Sequence, residues 1–229
     1  MKLYKIYSRA IGLLFALSLL CVGCENEDIL NINDLEISPS NPESVVIVEP
    51  DDGITSVNAL TKAINENGDA TYILRRDGVY YMEGKNVFKH NVVIKAENGS
   101  GKMPIIQPIC DAQGALNADM IRLEGSATFE NIYIVGKDAA TGNLMQRLFR
   151  IDESNVRLKF DNCFIDHCRN FCIRTDNVNN KIYLNNSTIR NLALTSDPAN
   201  GRLIDSRGNE QDSICLLYTS PSPRDTERS

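Results

Sequence analysis

From about Ala70 to Ile204 the chain sets short apolar runs between Asn, Gly, Asp and Pro turns. Ahead of them stands one helical pattern, GITSVNALTKAINENGD, in which Val57, Leu60, Ala63 and Ile64 share a face. The spacing predicts a short helix over 55–67, with Thr55 or Ser56 capping its start and Asn67-Gly68 ending it. ATYILRRDGVYYMEG follows as two strand-like runs around Asp77-Gly78, and FKHNVVIKAENGSGKMPIIQPI continues in the same manner. No second helical pattern appears, which argues against a doubly wound α/β sheet.

An internal repeat organises the strand-like region. Phe129, Asn131 and Ile134 recur as Phe160, Asn162 and Ile165, and again as Leu184, Asn186 and Ile189. The asparagines are 31 and 24 residues apart. A second landmark advances with the first: Ile121-Arg122-Leu123-Glu124 matches Phe149-Arg150-Ile151-Asp152 and Ile173-Arg174-Thr175-Asp176. Residues i and i+2 of a strand share a face, so Ile121/Leu123, Phe149/Ile151 and Ile173/Thr175 are predicted to point inward, and the Arg and acidic positions outward. Asn131, Asn162 and Asn186 fall where the chain turns. There an asparagine tolerates left-handed backbone and can bond its counterpart one rung away. The predicted fold is all-β: a right-handed parallel β-helix with a short N-terminal helix over its open end. Leu203-Ile204-Asp205 begins another rung, after which the pattern stops.

Both ends read differently. Lys2, Lys5 and Arg9 precede the apolar IGLLFALSLL, the form of a signal peptide over 1–23 and too short to span a bilayer. Cys21-Val22-Gly23-Cys24 resembles a bacterial lipobox, with Cys21 in place of the usual Leu; it implies lipidation of Cys24. The acidic Glu25-Asn26-Glu27-Asp28 resembles the surface-export signal of Bacteroidota lipoproteins, and 24–45 reads as an acidic tether. At the other end, Cys-Leu-Leu-Tyr-Thr-Ser can be encoded by codons that match a sequencing-library adapter. Residues 215–229 are therefore read as a non-native tail, and 46–214 as the N-terminal part of a longer β-helix. A last coil without its cap would leave an open strand edge and behave poorly in solution.

Charge narrows the partners. Setting aside the three basic groups of 1–23 and the two basic and two acidic groups of 215–229 leaves 19 basic against 28 acidic residues, a net charge near −9. Nucleic acid and anionic lipid repel such a body, so no nucleic-acid partner is expected.

Candidate chemistry is sparse. Cys163, Asp166, His167, Cys168 and Cys172 offer soft ligands at short spacing, which raises zinc. Yet Cys163 falls in the inward slot of Ile132 and Ser187, where cysteine acts as a small apolar group, so no metal site is predicted. The disulfide state of Cys110, Cys163, Cys168 and Cys172 is open, and His90 reads as a surface turn residue. Arg122, Arg150 and Arg174 form an outward column able to grip carboxylates or sulfates of a glycan. An acid two positions after each also permits a plain ion-pair ladder. Lys159 and Arg174 can be cast as base and neutralising cation of a lyase, though no spacing demands it. Asp161, Asp166 and Asp176 are scattered, and no nucleophile-elbow, P-loop or zincin motif occurs.

Lipobox, acidic export signal, cap helix and the repeated F-[ED]-N-x-x-I rung together resemble the pectate-lyase-like β-helix lipoproteins of Bacteroidota, over about residues 45–214. Many of these are domains of unknown function, and the superfamily includes chondroitinase- and alginate-lyase-like enzymes. The resemblance implies an outer-membrane, surface-exposed, lipid-anchored protein that contacts extracellular polysaccharide, this portion being mainly structural. The alternatives are a polysaccharide lyase of acidic glycans with catalytic coils partly or wholly beyond this portion, and an adhesin or structural spacer. No cofactor is predicted; calcium enters only if the full-length protein is a lyase.

Overall fold

The computed structural model describes residues 44–194, 196–207 and 213–217. The signal segment, Cys24, the tether up to residue 43 and the tail from residue 218 lie outside the described residues.

Three strands recur per coil, and each joins its counterparts in one of three parallel sheets. Sheet A stacks β1 (Val45–Val48), β2 (Ala70–Leu74), β5 (Val92–Ala96), β8 (Ala127–Glu130), β11 (Arg157–Asp161), β14 (Lys181–Asn185) and β17 (Ser213–Leu217). Sheet B stacks β3 (Val79–Glu83), β6 (Ile105–Ile109), β9 (Tyr133–Val135), β12 (Phe164–Asp166) and β15 (Thr188–Arg190). Sheet C stacks β4 (Val87–Phe88), β7 (Asp119–Leu123), β10 (Arg147–Ile151), β13 (Phe171–Thr175) and β16 (Arg202–Ser206). The molecule is an all-β parallel β-helix.

Side-chain alternation explains why these segments are strands. Inward residues of sheets A and C are sealed: Ile121, Leu123, Phe149, Ile151, Ile173 and Thr175 are all fully buried. Pairing brings Ile121, Phe149, Ile173 and Ile204 into one file, and Phe129, Phe160 and Leu184 into another. Phe129 stacks on Phe160 at 5.4 Å, and Phe149 meets both edge-on. Burying three such rings contributes about 1.5–3 kcal/mol each before chain entropy is counted.

The corners differ in kind. From sheet A to sheet B the last three connections turn in two residues, Asn131-Ile132, Asn162-Cys163 and Asn186-Ser187, whereas the first two run over 75–78 and 97–104. The three asparagines take φ of 58°, 51° and 46°, and Asn162 Nδ2 donates to Asn131 Oδ1 at 2.5 Å. Asn155 and Asn179 repeat the device between sheets C and A, also at 2.5 Å. From sheet B to sheet C the connection varies, running over 136–146 in one coil and 167–170 in the next. These loops absorb the unequal spacing of the repeat. They also bury Met120, Leu148 and Cys172, which face away from the coil interior.

The helix α1 covers Ala59–Asn67 and starts later than the predicted residue 55. Asp52 takes the amides of Ile54, Thr55 and Ser56 into a tight turn. Asn58 then enters α1 in left-handed backbone, without a side-chain cap. Leu60 and Ile64 are fully buried, and the helix lies against β1 to β4 of the first coil. At the far end, β17 crosses the boundary drawn at residue 215, pairing Cys215 to Leu217 with Tyr183 to Asn185. Main-chain pairing along a parallel edge is open to any residue with a free amide, whatever its side chain.

Candidate functional site

On sheet C, Arg122, Arg150 and Arg174 stand in strict register. Two carboxylates thread between them. Asp152 pairs with Arg122 and, at 2.9 Å, with Arg150; Asp176 lies 3.0 Å from both Arg150 and Arg174. Arg122 therefore uses an acid one rung away rather than Glu124. In the next rung Asp205 takes Arg174's position and is flanked by Arg202 and Arg207. The column is an interlocked ladder in which both signs reach the surface to a similar degree.

Lys159 lies on the outer face of sheet A, 3.4 Å from Asp161. Lys159 and Arg174 thus occupy different sheets, each with its own carboxylate partner. Asp161, Asp166 and Asp176 are likewise divided among sheet A, sheet B and the end of sheet C. Cys163, Cys168 and Cys172 are buried free thiols. Burial pushes Cys163 up to about 12 and Cys168 to about 11, and holds Cys172 well above the usual thiol range. His90 Nδ1 lies 3.2 Å from Asp69.

Sheet B carries a further arrangement, beside the file of repeat asparagines. Its outward residues form two files: Ile105, Tyr133, Phe164 and Thr188 in one, Val135, Asp166 and Arg190 in the other. Tyr133 and Phe164 meet edge-to-face at 6.2 Å, with Phe164 39% exposed. Asp166 shares this face but is only 2% exposed, because its neighbours close over it. Tyr133 Oη donates to Oδ2 at 2.9 Å, and Arg190 Nε and Nη2 approach the same oxygen at 2.9 Å. Asn191 Nδ2 donates to Oδ1 at 2.7 Å. His167 Nδ1 lies 2.9 Å from Oδ1, without the alignment of a hydrogen bond.

Burial opposes the charge on Asp166. Hydrogen bonds from Asn191, Tyr133 and Arg190, with the field of His167, outweigh it and hold the carboxyl below the usual range. The same bonds raise Arg190 above the ordinary guanidinium value, while burial and then Asp166 raise the Tyr133 phenol. The corner beside the cluster is tightly built. Gly136 donates to the Asp166 carbonyl at 2.8 Å, and a Cβ there would sit 2.0 Å from the His167 oxygen. Lys137 and Arg169, in the two abutting turns, are exposed. The signal for this site was present in the sequence: Val135, Asp166 and Arg190 each follow a repeat asparagine by four residues.

The arrangement offers an apolar aromatic step beside a fastened, solvent-facing guanidinium. It can stack a ring and hydrogen-bond its substituents. Among the described residues no group of three or more His, Cys, Asp or Glu converges as a metal site. No protein-family model matches the chain, and no curated protein does. Among solved structures it is similar to an iota-carrageenase complexed to iota-carrageenan fragments, with 17% identity and a TM-score of 0.40 over 90% of this chain. The match covers 50% of that chain, so this chain spans about half the length of the enzyme it matches.

Proposed function

We propose that this protein is a lipid-anchored, surface-exposed β-helix that contacts extracellular polysaccharide, and that sheet B is the contacting face. The observation that carries the reading is the Tyr133–Phe164 pair, an aromatic surface left open on a flat parallel sheet beside Arg190. Sugar rings present apolar C–H faces that pack on such side chains, and their hydroxyls suit the adjoining donors. The Arg122–Arg150–Arg174 column is the weaker contact surface, because its guanidinium groups are engaged with Asp152 and Asp176. Lipidation at Cys24 would supply the anchor, leaving the acidic tether to hold the coil off the membrane.

Affinity electrophoresis of the purified chain in gels containing neutral or acidic polysaccharides tests the binding claim. Retardation by at least one polymer, reduced about tenfold in affinity by Phe164→Ala and little changed by Arg122→Ala, is the expected outcome. A chain that no polymer retards, or one whose retardation depends on Arg122 and not Phe164, removes the reading. Metabolic labelling with radioactive palmitate tests the anchor, which Cys24→Ala should abolish.

A further inference from the structure

Building on sheet B as the glycan-contacting face, we infer that Asp166 is a positioning residue that converts Arg190 into a fixed anion receptor. The sugar unit held there then carries a carboxylate or a sulfate. Three observations lead to this. The Asp166 carboxylate is almost wholly covered, while the Arg190 side chain is 56% exposed, so a ligand meets the cationic end of the pair. Arg190 turns both Nε and Nη2 toward the single oxygen Oδ2, which fixes the guanidinium plane. Its remaining donors then face solvent in a set direction. A free arginine loses rotamer entropy when it is immobilised by a ligand; Asp166 removes much of that cost in advance.

The surroundings have the matching sign. Exposed Lys137 and Arg169 stand on the two turns that abut at Gly136. The nearby acids Asp138 and Asp166 are buried and saturated with donors. Sheet C offers the contrast: Asp152 and Asp176 keep 16% and 25% of their side chains exposed beside Arg150 at 28%, so both signs reach that face. An anionic substituent bound at Arg190 would leave the rest of its sugar beside Tyr133 and Phe164.

The test compares an acidic polysaccharide with the same polymer after its carboxyl groups are reduced to alcohols. Wild type should prefer the acidic form by about tenfold, the worth of one charge-assisted hydrogen-bond pair. Asp166→Asn and Arg190→Gln should each erase that preference while keeping the residual binding of the reduced polymer. Arg190→Lys should restore only part of it. Persistence of the full preference in a folded Asp166→Asn protein, or equal loss of both polymers, overturns the inference. If wild type binds neither polymer, the functional reading fails. A titration with glucuronate or inorganic sulfate, followed through the Arg190 side-chain NMR signal, still decides the role of Asp166. A shift in wild type that Asp166→Asn abolishes supports it, and no shift in wild type refutes it.

Discussion

An asparagine at φ near +50° solves two problems in this molecule: it turns the chain between sheets A and B, and it hands a hydrogen bond to the next rung. The two roles can be separated at Asn162. Alanine there adds left-handed strain of about 1–2 kcal/mol and loses an amide bond worth about 0.5–1.5 kcal/mol. Glycine loses only the bond and some chain entropy. Urea denaturation should therefore rank wild type above Asn162→Gly and Asn162→Ala lowest; a glycine variant less stable than the alanine variant contradicts the account of the turn. Asn131 and Asn162 were legible because one residue type recurs at one place in the coil. Asp166 kept its place in that repeat, four residues after Asn162, but its partners were not legible, because Tyr133, Arg190 and Asn191 reach it from 33, 24 and 25 residues away. No local window contains that cluster. Thr55 and Ser56 misled for the opposite reason: they look like helix caps locally, but Asp52 claims their amides first.

At the scale of elements, the charged rungs of sheet C act as staples between strands. Arg150 bridges two acids from successive rungs, whereas among the described residues Arg174 pairs with Asp176 alone. Removing Arg150 cuts the link between rungs and leaves Asp152 with Arg122 alone and Asp176 with Arg174 alone. Arg150→Ala is expected to cost about 1–2 kcal/mol, and Arg174→Ala less than about 1 kcal/mol. The difference should narrow at high salt, since both pairs are partly solvated. Equal losses at every salt concentration would mean that the stems, not the charges, do the stapling. The strand registers were readable from paired landmarks alone, because a one-residue slip would expose Phe149 and bury Arg150. The third strand of each coil was less visible: β9, β12 and β15 are short and carry exposed residues on one face.

For the whole molecule, Asp138 and Asp166 tie acid stability to the corner between sheets B and C. Burial opposes the charge on both. Bonds from Thr141 and Cys110 at Asp138, and the cluster already described at Asp166, nonetheless hold each below the usual carboxylate value. An unfolded chain protonates these groups near pH 4 and the folded one only below that. Their contribution is therefore complete above the unfolded value and disappears as pH falls through the lower, folded value. Asp166→Asn should flatten the acid limb of a stability–pH curve relative to wild type; an unchanged slope would show that the carboxylate contributes nothing to it. The unequal corners carry a separate consequence. The A-to-B turns at Asn131, Asn162 and Asn186 hold two residues and a left-handed asparagine, so inserted sequence at those three would break the file on both sides. The B-to-C connections already differ in length while the strands they join keep their register, and Ala139, Ala140 and Gly142 on one of them are exposed. Among the coils that carry the asparagine file, duplicated units could diverge along that seam, acquiring new loops beside sheet B without disturbing the stack, and an engineer grafting a peptide there would choose the same seam.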